Sequence, residues 1–318
     1  MLAAVRCSTA LLGTAVVLVP AMLGRGDAVR AAPARATASS ADTPQGFFYG
    51  TDSYYPTVGG SAPYKEPASD GSYGGYMGMV GSWERELGCS SFLAWSGSDA
   101  AAANINRSRY REGVGTGAYW FMGGPGVDPH YDGSAREARA WGSIQAAQML
   151  SAVRSLPPDQ GITYPVVWMD IELPKVAPTP DNGWISVYTS PCRGAVRRRG
   201  IMPSVNRAEV NGFSGYLHAH SGFLPGVYSS PGNWRKIFGT GVDSVISGTY
   251  EWTYRPETAH LGQAPAGWCL RGSGSRCAQF FGGVNSASRY ALMWQFSGGG
   301  GVLNGAGDFD QIDQARMR

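Results

Sequence analysis

The chain has 318 residues, 43% of them apolar and 15% charged, with 46 glycines and 12% aromatics. That apolar fraction can bury a core, which excludes a globally disordered chain, and the length suits one α/β barrel of roughly 250 residues behind a leader. The net charge of +3 comes from the leader, where Arg6, Arg25, Arg30 and Arg35 stand against Asp27 alone. The remainder is balanced, so no basic face for nucleic acid is expected.

Residues 1–38 read as a secretory signal peptide and linker. Arg6 is followed by an apolar run over 10–23 and by A-x-A sites between Ala32 and Ala38. The run is shorter than the roughly 20 residues of a membrane span. The sequence thus predicts an extracellular protein, secreted or cell-wall associated, with no stable membrane insertion after cleavage. Cys7 would leave with the leader. Cys89, Cys192, Cys269 and Cys277 remain, an even number that reads as two disulfides. Three pairings are possible. The flexible loop 271–276 favours Cys269–Cys277, which leaves Cys89–Cys192. No C-x-x-C pair occurs, so no zinc site is expected.

A domain over 46–314 follows. Residues 46–50 form a short apolar strand closed by Thr51-Asp52, and the Gly/Ser/Tyr/Pro-rich stretch to about Gly81 reads as a long loop. Residues 91–95 are a second strand candidate, 99–111 have helical character, and 117–121 are a third strand. Ser134 should cap a helix running to about Val153, with Glu137 three residues on. Residues 164–172 are the strongest strand, apolar until their end as buried parallel strands are. A helix over 204–219 and strands at 226–229, 245–249 and 291–296 complete the pattern. The arginine run 197–199 reads as a solvated helix end. Strands alternating with helices predict a TIM-like (β/α) barrel with a long Gly-rich insertion after its first strand.

Asp170-Ile171-Glu172 closes the strongest strand, and residues two apart on a strand share a face. Barrel active sites sit at the carboxyl ends of the strands. Two carboxyl groups there can divide their roles, one kept protonated by an apolar setting and the other ionised, which is the division glycoside hydrolysis needs. Asp52 closes the first strand in the same way, and Asp308 and Asp310 lie two apart after the last strand, where a loop turn is the plain alternative. Other chemistries find no support. No serine has glycine at both −2 and +2, H-E-x-x-H is absent, and His218 and His220 diverge on a helix. Acid–base chemistry on sugars needs no metal and no cofactor.

Several of these landmarks resemble glycoside hydrolase family 25, the lysozyme-like muramidases, in the family's own order over 46–314. They are Gly50-Thr51-Asp52-Ser53, Gly117-Ala118-Tyr119-Trp120-Phe121, the strand 165–172 ending in D-x-E, Pro225-Gly226-Val227-Tyr228-Ser229-Ser230, and Trp294-Gln295 followed by Gly307-Asp308-Phe309-Asp310. The resemblance implies that Glu172 is the general acid and Asp170 its ionised partner. Asp52 and Asp308 would complete the acidic ring. Tyr119, Tyr228 and Trp294 would line the sugar groove, and Asp310 would also bind substrate. It implies peptidoglycan or a related polysaccharide as partner, cleavage of the β-1,4 MurNAc–GlcNAc linkage, and a monomer. The chain departs from the family pattern at Tyr54-Tyr55-Pro56, at Trp120 where a histidine is common, and in an expanded segment 173–203. The neighbouring readings are a chitinase-like hydrolase, whose D-x-D-x-E would need an acid at Trp168, and a non-catalytic glycan-binding protein on the same barrel.

Overall fold

A computed structural model describes residues 47–53, 73–89, 115–156, 162–174, 179–239, 249–254, 291–297 and 308–313, all within one compact unit, Ala36–Arg318. The expected leader, the strand at 91–95, the helix at 99–111 and the pair Cys269 and Cys277 lie outside the described residues.

The fold is mixed α/β, with a sheet curled into a barrel. Its strands are β1 (Phe47–Ser53), β2 (Tyr73–Ser82), β3 (Gly115–Phe121), β4 (Val166–Asp170), β7 (Leu224–Ser229), β8 (Tyr250–Tyr254), β9 (Met293–Ser297) and β10 (Asp308–Asp313). They close in the order β1-β10-β9-β8-β7-β4-β3-β2. Neighbours from β1 through β9 pair parallel, whereas β10 runs antiparallel to both β9 and β1. This last strand is the departure from an all-parallel TIM barrel. Strands β5 (Ser186–Ser190) and β6 (Ala195–Arg199) form a separate antiparallel hairpin. Three helices of two turns or more are described, α1 (Ala135–Arg154), α2 (Pro203–His220) and α3 (Pro231–Phe238), beside a single helical turn at Trp83–Glu86.

Strand β4 shows how the wall is built. Val167 and Met169 face outward with Ile171 into the layer shared with Ala146, Met149, Val210 and Phe213 of the helices. Val166 and Trp168 face inward with Met77, Tyr119, Tyr228 and Trp252. Both faces are dry, which is why the strand reads as a continuous apolar run. Helix α1 begins as its sequence predicts, with Ser134 Oγ accepting the Glu137 N–H at 3.1 Å. Helices α1 and α2 cross on glycines: a Cβ on Gly142 would lie 2.0 Å from the Glu209 carbonyl oxygen, and one on Gly212 equally close to that of Arg139.

Three readings of the sequence are corrected. Residues 73–82 are not loop but the long strand β2. Their glycines weaken strand preference locally, yet Met77 and Met79 fill the barrel and Gly81 leaves room for the Trp120 ring. Strand β8 lies at 250–254, with Glu251 and Thr253 buried on the face opposite Trp252, and residues 245–248 of the expected strand lie outside the described residues. Residues 308–313 form the closing strand rather than a loop turn, because they supply the ladder partner that β1 and β9 lack. The arginine run lies in β6, whose residues are all exposed.

Cys89 and Cys192 are joined, as expected. The bond ties the turn after β2 to the hairpin across 103 residues of sequence. A loop of that size restricts the unfolded chain by about 4–5 kcal/mol in the chain-entropy account.

Candidate active site

Strands β1, β4 and β7 run parallel, so Asp52, Asp170 and Tyr228 lie near the carboxyl ends of their strands on one rim. Strand β10 runs the other way, which brings its first residue, Asp308, to the same rim opposite Asp52 in the ladder. Tyr228 is the register partner of Asp170 on one side and of Trp252 on the other.

Hydrogen bonds join this set across the barrel. Gln295 Nε2 donates to Asp52 Oδ2 at 2.8 Å. The Tyr228 hydroxyl donates to Gln295 Oε1. That second bond fixes which way the amide points, so its N–H₂ must face Asp52. Asp52 and Asp170 are both buried, each with 7% of its surface exposed.

Glu172 lies two residues past the end of β4 and is half-buried. The backbone leading to it is held on both sides. Met122 N–H donates to the Asp170 carbonyl at 2.9 Å, and Ile171 N–H to that of Tyr228 at 2.9 Å. Ser229 Oγ donates to the Ile171 carbonyl at 2.8 Å. Beneath the carboxyl groups is an aromatic layer. Trp252 packs on Tyr228 with ring centres 4.6 Å apart, and edge-on to Trp168 and Tyr119 at 5.7 and 6.0 Å.

Two expected site residues stand elsewhere. Trp294 lies between Met293 and Gln295, and alternation puts it on the other face of β9 from the Gln295 amide. It is buried there with its ring 5.6 Å from Phe296, a packing residue of the outer wall and not of the groove. Asp310 has no exposed surface, and its Oδ1 accepts the Trp252 indole N–H at 2.8 Å. That bond holds an aromatic of the layer in place.

The sequence reading missed Glu84. This residue follows β2 in the helical turn Trp83–Glu86. The register places Ser82, Phe121 and Asp170 side by side on adjacent strands, and Glu84 bonds Ser82 through its side chain. It is buried, one carboxyl oxygen has no hydrogen-bond partner among the described residues, and burial pushes its pKa up to about 7. Reading 73–81 as loop hid it, since an acid after a loop carries no signal and an acid at a strand's end does. Gln295 was passed over for Trp294 beside it, although alternation allows only one of the two to face inward.

No protein-family model matches the sequence, and no curated protein matches it. Among solved structures, the chain is similar to a muramidase from Acremonium alcalophilum at 15% identity and a TM-score of 0.42, over 85% of this chain and 96% of that one. It is similar to a bacterial lysozyme from Streptomyces coelicolor at 16% identity and a TM-score of 0.43, over 85% and 94%. It is also similar to a family GH25 lysozyme from Aspergillus fumigatus at 14% identity and a TM-score of 0.41, over 84% and 93%.

Proposed function

We propose that this protein is a secreted glycoside hydrolase that cuts the β-1,4 MurNAc–GlcNAc linkage of peptidoglycan. The observation that carries the reading is the gathering of Asp52, Asp170 and the register position of Asp308 on one rim of the barrel, with Glu172 two residues beyond. Three separate strands bring acid positions to the end of the barrel where such folds do their chemistry. Buried carboxyl groups are expensive to keep together without a use.

In this reading Glu172 gives its proton to the glycosidic oxygen as the C1–O bond breaks, and the bonding pair leaves with that oxygen. Asp170, ionised, supports the positive charge that develops at C1, or the substrate's own N-acetyl group as it attacks. Water then adds to C1, and its proton returns to Glu172. Asp52 and Asp308 hold water and hydroxyls, and the link from Tyr228 through Gln295 keeps Asp52 in place. Tyr119 and Tyr228 offer ring faces to the sugar. The protein acts as a monomer outside the cell. No helix among the described residues is long and apolar enough to cross a membrane.

Digestion of purified peptidoglycan, with mass and reducing-end analysis, tests the reading. New MurNAc reducing ends should appear. The Glu172→Gln variant should lose on the order of 10²–10⁴ in rate, the usual worth of a general acid, and keep its melting temperature. Binding to the wall without soluble fragments would instead make this a glycan-binding protein. An unchanged rate in the variant would remove Glu172 from the chemistry.

A further inference from the structure

The loops that leave β3 and β4 meet backbone to backbone. After β4, Asp181-Asn182-Gly183-Trp184 form a turn in which the Trp184 N–H donates to the Asp181 carbonyl at 2.9 Å. Asn182 has φ +48° and Gly183 φ +76°, the two left-handed residues of a type I′ turn. Asn182 is the non-glycine residue with positive φ among the described residues. Asp181 Oδ1 locks the turn by accepting the Gly183 N–H and the Tyr188 hydroxyl, each at 2.9 Å.

The β3 loop docks on this turn. Gly124 N–H donates to the Asn182 carbonyl at 2.7 Å, and Gly126 N–H to that of Gly183 at 2.9 Å. A Cβ on Gly126 would lie 1.9 Å from the Ser186 carbonyl oxygen, so only glycine permits the approach. The same loop is anchored to the helices. Gln145 accepts the Gly123 N–H at 3.0 Å and donates to the Gly123 carbonyl at 2.9 Å and to Glu209 Oε1 at 2.8 Å. The two loops are therefore one braced body.

From that body one side chain reaches the candidate acid. Asn182 is 1% exposed, and its Nδ2 donates to the backbone carbonyl of Glu172 at 3.3 Å. Glu172 stands beyond the last ladder position of β4, where sheet pairing no longer fixes the chain. The carbonyls of Asp170 and Ile171 are taken by Met122 and Ser229, and the next one is taken by Asn182.

We propose that Asn182 is a positioning residue for Glu172, which transfers the rigidity of the joined β3 and β4 loops to the group that donates the proton. The inference rests on the reading of Glu172 as the acid. An asparagine in a type I′ turn has a plainer explanation, since it tolerates left-handed backbone better than other non-glycine residues. Glycine separates the two roles. It adopts that backbone more easily still but has no amide to donate.

The test is Asn182→Gly beside Asn182→Asp, which keeps the size and faces the carbonyl with a carboxylate. If Asn182 only shapes the turn, the glycine variant matches wild type. If it positions Glu172, kcat on peptidoglycan falls about tenfold or more in Asn182→Gly, the scale on which small misplacements act. KM and melting temperature stay near wild type, and the Asn182→Asp variant is no better. The midpoint of the Glu172 carboxyl, followed by carbon NMR and assigned with Glu172→Gln, moves by about half a unit or more, as expected when a carboxyl's surroundings change. Unchanged kcat and midpoint in Asn182→Gly would overturn the proposal. A wild-type protein that releases no reducing ends would defeat the proposed activity, while the titration would still decide whether Asn182 sets the environment of Glu172. If Asn182→Asp fails to fold, the glycine variant decides alone.

Discussion

Inside the barrel, buried acids come as a connected set. Asp52 is reached from Tyr228 through Gln295, Asp170 sits in register with Tyr228, and Asp310 is bonded to the Trp252 that packs on the same ring. Outside, between the wall and the helices, Glu209 stands with a neutral partner. It is fully buried, Gln145 donates to one of its oxygens, and the other has no hydrogen-bond partner among the described residues. Burial pushes its pKa well above the usual carboxylate range. Desolvation thus favours the protonated form of this outer acid, which through Gln145 links two helices to the β3 loop. The difference lies in company, not in depth. Desolvation, with Asp128 near by, favours the proton on Glu209, whereas several acids on one rim can hold different protonation states in reach of one another, which acid–base chemistry requires.

Four substitutions bear on that contrast. The largest effect is expected on the outside. Gly212→Ala would drive a methyl into the Arg139 carbonyl, which should cost about 3 kcal/mol of stability by denaturant unfolding. The specific activity of the folded fraction should be unaffected, and a loss of activity per folded molecule would break the separation of the two faces.

The second effect depends on pH. The pKa of Glu84 rises from 4.5 to about 7 on folding because its carboxyl is desolvated. Below 4.5 both states are protonated and burial carries no penalty. Between 4.5 and about 7 the folded state holds more protons, so stability falls as pH rises, by roughly 3 kcal/mol in all. Glu84→Gln should therefore melt higher than wild type at pH 8 and close to it at pH 4.5. An equal difference at both pH values would remove Glu84 as the source.

The smaller effects come as a pair across β9. Tyr228→Phe removes the hydroxyl that orients Gln295 and should lower kcat about tenfold, near the 1.4 kcal/mol of one net hydrogen bond. Trp294→Phe should cost about 1–2 kcal/mol of stability through lost packing and leave kcat/KM within twofold. If Trp294→Phe damages catalysis more than Tyr228→Phe does, the assignment of faces on β9 is wrong.

The sequence by itself determined the features written in contiguous residues. The apolar run into Asp170-Ile171-Glu172 marks β4 and its acids, because a short run rich in β-branched and aromatic residues fits a strand dry on both faces. Ser134 with Glu137 marks the start of α1, since capping is chemistry within one turn. Asp52 at the end of the first strand and the even cysteine count followed from local pattern as well. Tertiary structure alone decided the rest. Strand β2 owes its existence to neighbours that accept its glycines. Strand β10 closes the ring by pairing antiparallel with both β9 and β1, and no local pattern specifies that direction. The same closure chose Gln295 over Trp294 for the interior and gave Asp310 to Trp252. Glu84 and Asn182 become legible only when residues far apart in sequence come within hydrogen-bond reach, because burial and a distant carbonyl are properties of the assembled barrel and not of any segment.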